Sequence, residues 1–326
     1  MSARAWAAFA AISTLWGMPY LFIKVAVDDG VPPIVLAWAR LVLGGAILLA
    51  LAWRAGVLGA LRGRGRVLLA YAVIELAIPF PLIGFGEQRV SSSLAAIIIA
   101  AAPLIVALLA LRFDADERVQ GRRLVGLLIG FGGVIALVGI DVAGNPRELV
   151  GALAILLAAV GYAAGPMLLS QRLTDVDQRA VMGASLALAA IVLTIPAILT
   201  APSEMPGTDG IASVLVLAVF CTALALTLFG VLITEVGAGR ALVITYVAPI
   251  VAVGLGVTVL GERVGAGAIA GLLLILAGSW LSTDGRLPPG LVALASRPRR
   301  ALSSRLWARR QSRSTSDVSA APASPS

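Results

Sequence analysis

Residues 91–111 read SSSLAAIIIAAAPLIVALLAL. The run carries no charge, and three serines open it. A helix rises ~1.5 Å per residue, so a stretch of this length crosses the ~30 Å hydrocarbon core of a bilayer. A strand of a membrane barrel would alternate apolar and polar residues over ~10 positions; this stretch is continuously apolar instead. Nine similar runs lie around it. The spans predicted are 6–27, 33–53, 67–87, 91–111, 122–140, 149–170, 178–200, 211–234, 238–260 and 264–283, joined by short loops. The apolar run from Ala5 to Val27 is longer than the core of about 7–15 residues in a signal peptide. It is therefore read as a membrane helix and not as a cleaved leader.

Composition agrees. The 326 residues are 60% hydrophobic and 13% charged, against about 45–50% and ~25% in soluble chains. The 35 glycines suit lipid, where small residues let helix backbones approach. Cys221 is the one cysteine, so no intrachain disulfide can form. There is no histidine, which excludes HExxH zinc sites and Ser-His-Asp triads. The one lysine, Lys24, is followed by Val25, so no Walker phosphate loop exists. No catalytic residue, metal or cofactor is expected.

The net charge of +8 does not mark a nucleic-acid binder, because of where the charges fall. With the N-terminus in the cytoplasm, that side receives Arg4, Arg54, Arg62, Arg64, Arg66, Arg112, Arg118, Arg122, Arg123, Arg172, Arg179 and Arg240. The other side receives Lys24, Arg89, Arg147 and Arg263. Twelve against four obeys the positive-inside rule and predicts an even number of spans with both termini cytoplasmic. Eight further arginines follow position 284. There Arg297, Arg299, Arg300, Arg305, Arg309, Arg310 and Arg313 cluster with Leu302, Leu306 and Trp307. The cluster reads either as a disordered stop-transfer tail or as a short basic amphipathic helix on anionic lipid headgroups. From Ser312 the chain is Ser/Ala/Pro-rich and is expected to be disordered.

The chain also repeats itself. Pro103-Leu104-Ile105-Val106-Ala107 is followed by Glu117-Arg118-Val119, Gly126-Leu127-Leu128 and Gly133. Pro249-Ile250-Val251-Ala252-Val253 is followed by Glu262-Arg263-Val264, Gly271-Leu272-Leu273 and Gly278. Each unit holds five spans, an odd number, so the second copy must be inverted. The expected layout is an all-α membrane protein of ten transmembrane helices, built as two inverted five-helix repeats, 1–143 and 144–283, with a basic tail 284–326. Inverted repeats are a plan of secondary transporters, with the substrate site near midplane between the copies.

The chain resembles the EamA-type transporters of the drug/metabolite transporter superfamily. The likeness rests on Leu15-Trp16-Gly17 with Phe22-Ile23-Lys24, Ala39-Arg40-Leu41, Gly86-Glu87-Gln88, and the stretches from Pro103 to Arg118 and from Pro249 through Gly261-Glu262-Arg263. It covers about residues 6–283. It implies ten helices, cytoplasmic termini, a place in the cytoplasmic membrane, and movement of small metabolites such as amino acids. One departure is Asp114-Ala115-Asp116-Glu117, where Leu-Gly-Glu is usual in the family.

Ionisable groups inside spans are costly and are functional candidates by default. Arg40 lies within the second span and matches the family's arginine; Glu75 lies mid-way along the third, before Pro79 and Pro81. Glu87 and Gln88 close that span; Ser91 and Ser92 are placed to cap the next. Trp16, Tyr20, Thr245 and Tyr246 offer aromatic walls and hydroxyls along a substrate pathway. Lys24 is expected at its entrance. Pro103 and Pro249 occupy matching places and are read as paired helix distortions beside the pathway. Glu117 and Glu262 are read as structural charges at helix starts. The function expected is secondary transport, first as an exporter, by alternating access. The alternatives are a non-transporting scaffold or sensor, and a lipid-processing membrane enzyme. The partners expected are a small-molecule substrate and lipid, with no nucleic acid.

Overall fold

The computed structural model describes residues 2–113, 121–142, 144–173, 175–237, 241 and 243–282, with backbone only at 110–113. Glu117, Arg118, Arg240 and the basic tail lie outside the described residues.

All the elements among the described residues are helical. Eight are long and apolar enough to cross a membrane: α1 Ala3–Asp28, α2 Pro33–Arg54, α3 Gly65–Glu87, α4 Ser92–Leu109, α5 Arg122–Val142, α6 Pro146–Arg172, α7 Gln178–Leu199 and α8 Thr208–Val236. Two shorter apolar helices follow, α9 Ile244–Val259 and α10 Ala266–Ser282. Prolines open several of these rods. Pro33 and Pro146 stand in first turns, where a missing N–H costs nothing.

The surface is inside-out by the standards of a soluble protein. Trp53, Leu128, Ile135, Ile191, Ile195, Ile198, Leu199 and Leu273 are exposed, while Arg40, Glu87, Ser92, Ser93, Ser185, Thr222 and Ser279 are buried. An apolar exterior this extensive fits lipid contact and not water.

Two helix pairs pack most closely, α5 with α10 and α2 with α7. Glycines make the first approach possible. A Cβ on Gly126 would stand 2.6 Å from the Ser282 nitrogen and 2.7 Å from the Gly278 carbonyl. One on Gly133 would stand 2.9 Å from the Gly271 carbonyl, and one on Gly271 3.0 Å from that of Gly133. The glycines of the sequence motif therefore face one another, Gly126 with Gly278 and Gly133 with Gly271. In the second pair, Trp38 Nε1 donates to Thr194 Oγ1 at 3.2 Å, and Gly183 lies against the backbone of Leu48 and Leu49.

Among the described residues three helices contain a π-helical turn, at Val73–Ala77, Val138–Val142 and Val219–Leu224. The first has a cause in sequence. Pro79 has no N–H for the Glu75 carbonyl, and the Ile78 amide instead reaches back to Val73 at 3.1 Å. The paired distortions expected at Pro103 and Pro249 differ. α4 breaks between Ile99 and Ala102, just before Pro103. Pro249 lies inside α9, which continues through it. It falls in the second turn of that helix, where its ring and missing N–H disturb only the carbonyls at the helix start.

Leucine in place of Gly278 should lower the stability of the purified protein by about 3 kcal/mol or more, because backbone, not flexible side chain, stands in its way. Alanine at Gly132, which has open space around it, should be neutral or stabilising by about 0.5–1 kcal/mol. Thermal unfolding in detergent checks both.

Candidate functional site

The candidate residues fall into three groups. The first surrounds Arg40, a buried residue on α2. Its Nε donates to Thr222 Oγ1 at 2.7 Å, and its guanidinium lies 4.3 Å from the centre of the Phe80 ring. Phe80 meets Tyr162 of α6 edge-on at 6.4 Å. Tyr20, Tyr162 and Cys221 are all in electrostatic reach of the guanidinium. Thr222 is fixed by its π turn, where its hydroxyl donates to the Leu217 carbonyl at 2.8 Å.

Glu75 completes this group. It stands in the π turn of α3, half-buried, and its Oε2 is buried without a hydrogen-bond partner among the described residues. Space for it is made by α6: a Cβ on Gly161 would stand 2.5 Å from the Ile74 carbonyl, and one on Gly165 would overlap the Glu75 carboxyl. Tyr162 lies between and interacts with both Arg40 and Glu75. A cation and a carboxyl thus border one phenol in the helix interior.

The second group sits where α3 ends. Glu87 is completely buried. Lys24 Nζ donates to the Glu87 backbone carbonyl at 2.9 Å and to Asp28 Oδ1 at 3.0 Å. Ser91 caps α4 as the sequence suggests, accepting from the Leu94 amide at 3.2 Å; the Ser92 hydroxyl does not. The α4 start is held instead by Glu262, from the segment between α9 and α10. Its carboxylate accepts from the Ser92 amide at 2.7 Å, the Ser93 amide at 3.0 Å and the Ser93 hydroxyl at 2.5 Å. Glu262 is a structural charge at a helix start, but of a helix 170 residues away in sequence. Asp29 does the same for α8, accepting from the Gly210 amide at 2.8 Å. Asp141 does so for α10, accepting from Ala268 at 2.5 Å. A polar cleft of about 380 Å³, lined by Val27, Asp28, Gln88, Arg89 and Arg147, opens beside Lys24. An apolar groove of about 290 Å³ runs past Pro33, Pro81 and Gln88.

The third group belongs to another cluster. Trp16 packs against Phe229 at a tilt of 50°, with ring centres 4.9 Å apart, in an apolar cluster that includes Ile12, Leu232 and Ile244. Tyr246 hydroxyl donates to the Ser279 carbonyl at 3.4 Å, and Thr245 is half-buried one residue before it. Pro79 belongs with Glu75 instead, buried against Gly161.

Sequence reasoning missed Phe80, Tyr162 and Thr222, and the partners of Asp29, Asp141 and Glu262. A signal existed for Tyr162, because the chain has only four tyrosines and this one falls inside a span. Thr222 carried none beyond a lone hydroxyl in an apolar run.

These features define a multi-pass helical protein of the cell membrane, with a polar group enclosed among its helices. The EamA-like transporter family matches the chain twice, over residues 3–139 and 149–283. The uncharacterized inner membrane transporter YedA of Escherichia coli K12 is 32% identical over 260 residues, covering 77% of this chain and 81% of its own. A "probable amino-acid metabolite efflux pump" of Salmonella typhimurium is 27% identical, covering 84% and 93%. A solved crystal structure 21% identical to the chain shares the fold, with a TM-score of 0.62 over 87% of this chain and 98% of its own. The chain belongs to the EamA-like transporter family.

Replacing Glu262 with alanine removes the acceptor for two backbone donors and a hydroxyl. It should cost about 2 kcal/mol in thermal unfolding. Glutamine, which keeps one acceptor oxygen, should cost less.

Proposed function

We propose that the protein is a secondary transporter of small zwitterionic metabolites, such as amino acids or related compounds, working as an exporter by alternating access. The observation that carries this reading is the Arg40 group. A guanidinium from the first half of the chain is bonded to Thr222 of the second, and Tyr162 interacts with both that guanidinium and Glu75. Burying these groups is costly unless something uses them. Arg40 would take a substrate carboxylate through its planar donors, and Glu75 an ammonium group. Phe80 and Tyr162 would supply the apolar and hydroxyl wall between them. The efflux-pump name of the Salmonella relative fits both the substrate class and the direction.

We read the architecture as ten transmembrane helices in two inverted repeats, 1–143 and 144–283. Reciprocal contacts support it. In the sequence motif Gly126 corresponds to Gly271, and Gly133 to Gly278. In space Gly126 meets Gly278 and Gly133 meets Gly271. A two-fold axis produces this pairing, in which residue i meets j and j meets i. Trp38 with Thr194, and Leu49 with Gly183, follow the same register. So do the π turns of α3 and α8. One half would rock on the other around the Arg40 group.

Uptake and efflux in reconstituted vesicles, screened across metabolite classes, test this. Arg40→Ala and Glu75→Gln should each abolish most transport at normal expression; full transport by both would sink the site assignment. Reporter fusions at the two ends of the chain should both report the cytoplasmic side, and a split result would refute the even-span topology.

A further inference from the structure

Glu87 has no place in the Arg40 group, yet its burial is extreme. It ends α3 with 0% of its surface exposed, and neither carboxyl oxygen has a hydrogen-bond partner among the described residues. The charged and titratable groups that face it are Tyr20, Lys24 and Asp28 from α1, and Glu262 from the segment between α9 and α10. Lys24 spends its described bonds on Asp28 and on the backbone carbonyl of Glu87, not on the carboxyl. Glu262 has three donors of its own. Arg89 turns back onto the Phe85 ring and carbonyl, and Arg147 reaches toward the Gln88 carbonyl.

A carboxylate shut away from water without donors is among the most expensive groups a protein can bury. The Lys24 ammonium offsets part of that cost, and the carboxylates of Glu262 and Asp28 add to it. A proton removes the charge and needs no coordination shell. A metal ion would need several oxygens, and no group of three or more Asp, Glu, Cys or His side chains suited to one occurs among the described residues.

The surroundings also give the proton a way in. Beside Glu87, Glu262 closes onto the start of α4, and Asp29 and Asp141 tie the starts of α8 and α10. Opening this end of the bundle would break such bonds and bring water to Glu87. Tyr20 provides the link inward: it stands one turn before Lys24 on α1, whose ammonium holds the Glu87 carbonyl, and it interacts with both Glu87 and Arg40.

We propose that Glu87 is a proton-binding site of the transport cycle, loaded from bulk water when this end opens, held when it closes, and coupled through Tyr20 to the Arg40 group. The proposal rests on the transporter reading for its role in the cycle, but not for the presence of the proton. Infrared spectra of the full chain in vesicles test the proton directly. At neutral pH the wild type should show the carbonyl band of a protonated carboxylic acid. The part of that band lost in Glu87→Gln should persist in Glu75→Gln and Glu87→Asp. Identical wild-type and Glu87→Gln spectra in this region would overturn the proposal.

Flux tests the coupling. With a metabolite found in the vesicle screen, a proton gradient should stimulate net transport by the wild type. Glu87→Gln should lose that stimulation entirely while still exchanging labelled for unlabelled substrate. Stimulation that survives in Glu87→Gln overturns the proposal. So does equal wild-type flux with and without the gradient, or stimulation by sodium alone. If the wild type carries no metabolite at all, the transporter reading fails instead, and the infrared comparison still decides whether Glu87 holds a proton.

Discussion

An unpartnered backbone amide in hydrocarbon costs several kcal/mol, and no water is there to relieve it. The fold is an answer to that cost. Within each rod the helix ladder pairs its own groups. At the rod starts the first amides have no intrahelical partner, and here the chain supplies acceptors from far away. Glu262 serves α4, Asp29 serves α8 and Asp141 serves α10. Each such carboxylate meets the positive end of a helix dipole as well as its donors. Each also ties two parts of the bundle together, so satisfying a helix start and closing one end of the molecule become the same interaction.

Lipid removes the usual hydrophobic drive for helices to associate, and close packing replaces it. The glycines of α5 and α10 let two backbones meet directly. On α6, Gly161 and Gly165 do something different: they leave room for a bulged turn of α3 and for the carboxyl of Glu75. Small residues thus serve both the tight seams and a place where polar side chains face inward. The π turns belong to the same economy. By widening the helix locally they aim Glu75 and Thr222 into the interior, while Asp141 is brought to the α10 start from a third such turn.

Much of this was legible beforehand. Apolar length placed the rods, because bilayer thickness sets it. Arg40, Glu75 and Glu87 stood out because charge inside a span is rare. Pro79 pointed to a disturbance near Glu75 because its missing donor is a local property of the chain. Pro249 carried the same signal, yet α9 continues through it, since the local rule does not say in which turn of a helix a proline will fall. Tyr162 carried only the weak signal of a rare phenol inside a span, and Thr222 none, because a phenol or a hydroxyl gains meaning only from its neighbours.

By itself the sequence determined that the chain is helical and membrane-embedded, and it exposed a motif that occurs twice. These follow from residue type and spacing, which act over one or two helix turns. Only the tertiary structure decided which glycines meet, that Glu262 caps α4 and not the helix it precedes, and that Arg40 is held by Thr222. Those choices depend on contacts between residues up to 182 positions apart, and no periodicity along a chain records which of its distant faces will come together.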